Sequence, residues 1–84
     1  MYEIIFEGKA EKDLLGLPKE ILKKLDDKIQ QLKKNPRPYG VKKLMYKVEG
    51  WRIRIGDYRV LYQIDDDKKL VKVYRIKHRR EVYR

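Results

Sequence analysis

Three arginines within eight positions, Arg52, Arg54 and Arg59, are the residues of this chain best suited to do chemistry together. The run Trp51-Arg52-Ile53-Arg54-Ile55 alternates without a break. In a strand it therefore sends Arg52 and Arg54 to one face and Trp51, Ile53 and Ile55 to the other. Gly56-Asp57 is a two-residue turn of the kind that closes hairpins. Tyr58-Arg59-Val60-Leu61-Tyr62-Gln63-Ile64 then returns, with Arg59 on the same face as the first two arginines. Guanidinium groups this close repel one another, which opposes folding unless an anion binds. Their forks match phosphate oxygens. A strand face needed only for solubility would mix its signs, whereas these three share one. Further along, Arg79, Arg80 and Tyr83 are expected to fold across the edge of this cluster. Tyr83 could stack on a base or orient a hydroxyl, the alternative being a terminal tyrosine packed on the sheet. His78 could exchange a proton near neutral pH, the alternative being a plain surface histidine.

Phosphate chemistry needs no metal when the substrate carries its own nucleophile, as RNA does in its 2′-OH. The protein must then align that oxygen with the adjacent phosphate and stabilise the developing charge. Arginines suit both tasks; proton transfer suits them poorly, because an arginine does not give up its proton. DNA hydrolysis would need an activated water, usually from metals. The chain has no cysteine and one histidine, which excludes thiolate and multi-histidine zinc sites, a disulfide scaffold and a cysteine nucleophile. Asp65-Asp66-Asp67 would point to alternate faces of a strand and reads as a turn. No metal and no cofactor are expected, and RNA is the better substrate.

The whole composition agrees. Charged residues make up 43% of the chain, and 23 Lys+Arg against 13 Asp+Glu leave +10. Residues 1–40 hold 9 basic and 7 acidic side chains, residues 41–84 hold 14 and 6, so the excess sits in the C-terminal half. An acidic, solvating or calcium-storing protein is excluded and a polyanion partner is indicated. With 42% hydrophobic residues the chain can close a core. At 84 residues one domain spanning 1–84 is expected. A chain of this size buries only about 60% of its surface on folding, so any site must be shallow. No apolar run approaches the ~20 residues that span a bilayer. Met1-Tyr2-Glu3-Ile4-Ile5-Phe6 lacks the leader and cleavage site of a signal peptide. No membrane partner and a cytoplasmic location are expected.

The elements that must position the arginines follow from periodicity. Residues 2–6 read as a short strand ended by Gly8. Residues 9–17 read as a helix with Ala10, Leu14 and Leu17 on one side. Pro18 suits the first position of a second helix, in which Ile21, Leu25, Ile29 and Leu32 form an apolar stripe and which Asn35-Pro36 stops. Residues 37–43 read as a loop, 44–48 as a strand, and 51–55, 58–64 and 70–76 as three more, followed by a basic tail. The expected fold is α+β: an N-terminal strand, then an antiparallel helical hairpin packed on one face of an antiparallel sheet of four to five strands.

With these residues in view, the chain resembles the RelE/ParE superfamily of bacterial and archaeal toxins, and RelE-type members most. The resemblance covers nearly the whole sequence. It rests on the block from Trp51 through Arg54-Ile55-Gly56-Asp57-Tyr58-Arg59-Val60-Leu61-Tyr62, on the ending His78-Arg79-Arg80-Glu81-Val82-Tyr83, on Lys42-Lys43-Leu44, and on the Pro18 and Asn35-Pro36 breaks. It implies the microbial-ribonuclease-like RelE fold and a type II toxin that cleaves mRNA in the ribosomal A site, leaving a 2′,3′-cyclic phosphate. It also implies a RelB-like antitoxin as partner, contact with operator DNA only through that antitoxin, and a free toxin that is monomeric. Family roles fall on Arg52 and Arg54 for proton transfer and charge stabilisation, and on Arg59 for phosphate binding. The arginine of the terminal motif falls on Arg79, with Arg80 the alternative because the spacing there differs; the terminal tyrosine falls on Tyr83. Arg80, His78 and Lys43 are the implied substrate-binding residues. One departure stands out: well-characterised RelE enzymes carry lysines where this chain has Arg52 and Arg54. The proton acceptor is then Tyr83, His78 or a ribosomal group, or else cleavage depends mostly on electrostatics. The alternative function is a non-catalytic ParE-like gyrase poison, or a toxin that only binds antitoxin and nucleic acid.

Overall fold

The computed structural model describes residues 1–38, 40–43 and 50–82. Five strands and three helices follow in the order β1 (Glu3–Phe6), α1 (Gly8–Leu15), α2 (Lys19–Lys34), β2 (Lys42–Lys43), β3 (Trp51–Ile55), β4 (Tyr58–Asp65), β5 (Leu70–His78) and α3 (Arg79–Val82). The strands form one sheet in the order β1-β5-β4-β3-β2. No helix is long and apolar enough to cross a membrane among the described residues.

The expected α+β architecture of a helical hairpin over one sheet is present, with one difference in strand direction. β2 to β5 pair antiparallel, whereas β1 joins β5 in parallel, Glu3 opposite Leu70 and Phe6 opposite Val73. The sheet is therefore mixed. Short turns force antiparallel neighbours only where consecutive strands pair. β1 is separated from the sheet by two helices and meets the last strand, so no turn dictates its direction. Smaller differences concern boundaries. Pro18 sits just before α2 rather than inside it, its carbonyl accepting from the N–H groups of Ile21 and Leu22. Lys42 and Lys43 form a short edge strand instead of the end of a loop. The strand expected over residues 44–48 lies outside the described residues.

One face of the sheet is closed by the helices. Leu25, Ile29 and Leu32 of α2 and Ala10 of α1 pack on Ile53, Ile55, Val60, Tyr62, Val71, Val73 and Ile76. The largest of these that are fully buried are Tyr62, Leu32, Val60, Val71 and Val73. Tyr62 is the one with a polar tip, and its hydroxyl donates to the Pro36 carbonyl at 2.7 Å, while burial pushes its pKa up. That bond pins the loop after α2 to the sheet. The opposite face, carrying Arg52, Arg54 and Arg59, is not covered by any helix among the described residues. Because Ile53 and Ile55 are committed to the helices, the arginines between them have no choice of side.

The loop is clamped a second time. Arg37 forks onto Asp66, Nη1 to Oδ1 at 3.2 Å and Nη2 to Oδ2 at 2.9 Å. The Tyr2 hydroxyl donates to Asp66 at 2.6 Å, and the Arg37 guanidinium lies 5.2 Å from the Trp51 ring centroid. Asp66 thus belongs to the β4–β5 turn, as its sequence context suggested, and works there as a structural acceptor. The bond from Arg37, then that from Tyr2, hold its pKa down to about 2, against the small upward effect of burial. Since the folded-state value is depressed, the stability that ionised Asp66 contributes is complete above the ordinary carboxylate range near pH 4. It is lost as pH falls towards 2. A carbon-detected NMR titration should find the Asp66 inflection near pH 2 in the native protein and at a higher pH in Arg37→Gln, where the Tyr2 bond is still left to lower it; the same inflection in both would contradict the clamp.

Candidate functional site

Hairpin geometry builds the site. Gly56 takes the first central position of the β3–β4 turn with φ of 59°, the left-handed backbone of a type II′ turn. A side chain there would also meet Ile21 Cδ1 at 3.1 Å. With this turn the register sets Ile55 against Tyr58, Arg54 directly against Arg59, and Arg52 against Leu61. Direct partners have Cβ atoms about 5 Å apart on the same face. Arg54 and Arg59 are therefore neighbours across the hairpin, and Arg52 lies one pleat along from Arg54.

Adjoining strands extend the pattern. Lys42 of β2 pairs with Arg52, and Lys77 of β5 pairs with Arg59. Two rows thus cross the open face. One runs Lys42–Arg52–Leu61–Arg75 and the other Arg54–Arg59–Lys77. Gly40, Lys42, Arg52, Arg54 and Arg59 line a shallow cavity of about 220 Å³. The backbone steadies two of these arginines: Arg54 Nε donates to the Gly56 carbonyl at 2.8 Å and Arg59 Nη1 to the Tyr58 carbonyl at 3.3 Å. Neutral carbonyls orient the guanidiniums without cancelling their charge, and each keeps donors for an anion. Among the described residues no acid lines this cavity.

Arg75 is engaged elsewhere. Its Nε meets Asp13 Oδ2 at 2.9 Å, and the same oxygen accepts from the Ile76 N–H at 2.8 Å. Burial would raise the Asp13 pKa, but the Arg75 bond, the Ile76 N–H and the charges of Arg75 and Lys77 outweigh it and hold it below the usual range. Asp13 fastens α1 to the edge of β5, a role with no local sequence signal, since its partners lie more than sixty positions away.

The remaining residues singled out from the sequence fall in different places. Arg79 starts α3 beside the turn of the β3–β4 hairpin, where its N–H donates to the Asp57 carbonyl at 2.6 Å. Its Nε is 3.9 Å from Asp57 Oδ1, with both side chains more than half exposed, a contact worth little in water. Arg79 is thus held beside the arginine row by its backbone while its side chain stays available. Arg80 is exposed next to it. His78 is placed with the core, not with the arginines. It is the register partner of Tyr58, its ring meets Tyr58 edge-on at 5.2 Å, and its Nδ1 accepts from the Arg80 N–H. Lys43 pairs with Trp51, on the face opposite Arg52; Lys42 is the lysine on the arginine face. Tyr83 lies outside the described residues.

Lys42 and Lys77 were not singled out from the sequence. A bulge explains Lys77. Between β4 and β5 the register steps from Leu61–Arg75 to Tyr62–Val73, leaving Tyr74 as the extra residue. Strict alternation from Val71 and Val73 would turn Lys77 into the core, and the bulge turns it out instead. The signal was present as the three-residue spacing from buried Val73 to buried Ile76.

The result is a small α+β domain with one sheet face packed against helices and a row of arginines on the other. A family model described as the ParE toxin of the type II toxin–antitoxin system parDE matches residues 4–83. Toxin RelG of Mycobacterium tuberculosis is 35% identical over 85 aligned positions, which take in 99% of this chain and 97% of that protein. Among solved structures, the archaeal RelE–RelB complex from Pyrococcus horikoshii superposes with a TM-score of 0.82 at 29% identity, covering 93% of this chain and 94% of that one. The isolated RelE toxin of Escherichia coli superposes at 0.80 with 28% identity, over 99% and 92%. This chain belongs to the RelE/ParE family of type II toxin–antitoxin toxins.

Proposed function

We propose that this toxin is a metal-independent endoribonuclease that cuts mRNA in the ribosomal A site and so halts translation. The observation that carries the reading is the direct pairing of Arg54 with Arg59 across the hairpin, with Arg52 and Lys42 beside them in the same cavity. Such a face is built for a phosphate whose charge grows during reaction. In the step we assign, the ribose 2′-oxygen attacks the adjacent phosphorus and loses its proton. The bond to the 5′-oxygen of the next nucleotide breaks, and that oxygen gains a proton. The products are a 2′,3′-cyclic phosphate and a free 5′-hydroxyl. Arg54 and Arg59 hold the non-bridging oxygens and stabilise the phosphorane, an electrostatic role suited to fixed guanidiniums. Arg52 and Arg79 bind the flanking backbone, and Tyr83 orients the nucleotide. The contacts of His78 with Tyr58 and the Arg80 N–H argue against it as the proton acceptor, which leaves that role to Tyr83 or a ribosomal group.

The relatives solved as RelE–RelB complexes support a RelB-like antitoxin as the partner that neutralises this chain in the cytoplasm. Operator DNA is then met only through that antitoxin, and the free toxin is monomeric. The reaction is tested by placing a single 2′-deoxynucleotide immediately 5′ of the cleaved bond. Cutting there should vanish while neighbouring bonds stay sensitive; continued cutting would mean that water, not the 2′-OH, is the nucleophile.

The family model's ParE description favours one other reading, a gyrase poison on the same fold. It predicts growth arrest with mRNA intact and with gyrase trapped on cleaved DNA.

A further inference from the structure

We propose that Lys77 is a further substrate-binding residue of the arginine face, holding the phosphate next to the one being cleaved, so that the RNA backbone crosses the strands from β3 towards β5. The assignment of this phosphate to a cleaved RNA rests on the ribonuclease reading above. Lys77 is the direct partner of Arg59, which is itself the direct partner of Arg54. Three cations thus stand in one row over three adjacent strands. Strands are spaced about 4.8 Å apart, so the row runs for roughly 10 Å. One phosphate reaches two neighbouring positions of such a row, and the third is left for the next phosphate along.

Structure offers Lys77 little other employment. It makes no ion pair among the described residues. The acid nearest in effect, Asp13, is lowered by its charge, but that carboxylate is already occupied by Arg75 and the Ile76 N–H. The fold also spends an irregularity on it: without the Tyr74 bulge, Lys77 would point into the helix-covered core with Val71 and Val73. A bulge that re-aims a side chain at the rim of a site is a recurrent device. A lysine is fit for this place because a phosphate beside the reacting one needs a compact counter-charge rather than a fork that competes for the same oxygens.

The test measures binding of a fluorescein-labelled, fully 2′-O-methylated single-stranded RNA, which cannot be cut, across a range of salt. Wild type is compared with Lys77→Gln, Lys77→Arg and, as a control for lost charge, Lys23→Gln on the exposed side of α2. The slope of log affinity against log salt should shrink by about 0.7 in Lys77→Gln, one phosphate contact on a single strand. It should stay unchanged in Lys77→Arg and Lys23→Gln, and the loss should be the same on RNAs of different base sequence. In ribosomal cleavage, Lys77→Gln should raise KM several-fold with kcat near wild type. A Lys77→Gln slope equal to that of Lys23→Gln overturns the proposal even if the wild type cuts mRNA. A reduced slope with a wild type that cuts nothing keeps Lys77 as a phosphate ligand and overturns the ribonuclease reading instead.

Discussion

Replacing Arg59 by alanine should reduce mRNA cleavage by about 10²-fold or more, the scale for removing one preorganised donor to transition-state charge. It should do so without destabilising the fold. Arg59 stands at the middle of the Arg54–Arg59–Lys77 row and lines the cavity with Arg52, Arg54 and Lys42. Its guanidinium donates to the carbonyl of its own neighbour, Tyr58, so among the described residues no long-range side-chain bond breaks on its removal. Losing one of several like charges relieves repulsion, and the variant's melting temperature should hold or rise. Quantified primer-extension products from the two proteins on the same stalled ribosome, beside their thermal melts, give both numbers. Cleavage within a few-fold of wild type would remove Arg59 from the reacting phosphate.

Asp13→Ala should do the reverse. It strips the Ile76 N–H of its acceptor and leaves the Arg75 guanidinium, 29% exposed, without its carboxylate. Losing the acceptor of the Ile76 N–H together with the ion pair costs about 2 kcal/mol, which in a domain of this size lowers Tm by roughly 10 °C. Residual cleavage per folded molecule should be near that of wild type, because Asp13 fastens α1 to β5 and does not line the arginine cavity. Asp13→Asn keeps an acceptor for Ile76 and should recover part of the loss. The Asp13 carboxyl is depressed in the folded state, so its contribution is whole above the ordinary carboxylate range and fades as pH falls below it. The gap in stability between wild type and Asp13→Ala should therefore close in acid. A gap independent of pH would show that helix propensity or packing, rather than this ion pair, sets the effect.

These two residues mark how far the sequence could be read. The arginine hairpin was legible because everything that defines it is local: strict alternation, a Gly-Asp turn and an equally strict return strand. The helical hairpin was legible from its apolar stripe and its two prolines. What escaped was non-local. The direction of β1 depends on its meeting β5 across two intervening helices, which no turn signal records. Lys77 was hidden by a single extra residue in β5, and Lys42 by the register of a two-residue strand that alternation cannot identify. His78 sits in phase with buried Ile76 and so faces the core side, a placement that the basic run around it obscured. Asp13 carries no motif at all; its role exists only once α1 lies against the edge of β5.

Arg52 and Arg54 strengthen phosphate binding but offer no proton acceptor, so the face is expected to act by charge and alignment. Proton transfer then falls to a group at its rim or on the ribosome. The central claim is that this face cuts mRNA when the ribosome presents it. Primer extension on a defined mRNA, with and without a ribosome stalled at a known codon, tests that most directly. The account predicts a new end inside the A-site codon only when the ribosome is present. Intact mRNA in both reactions, from a toxin that still arrests growth, would contradict it.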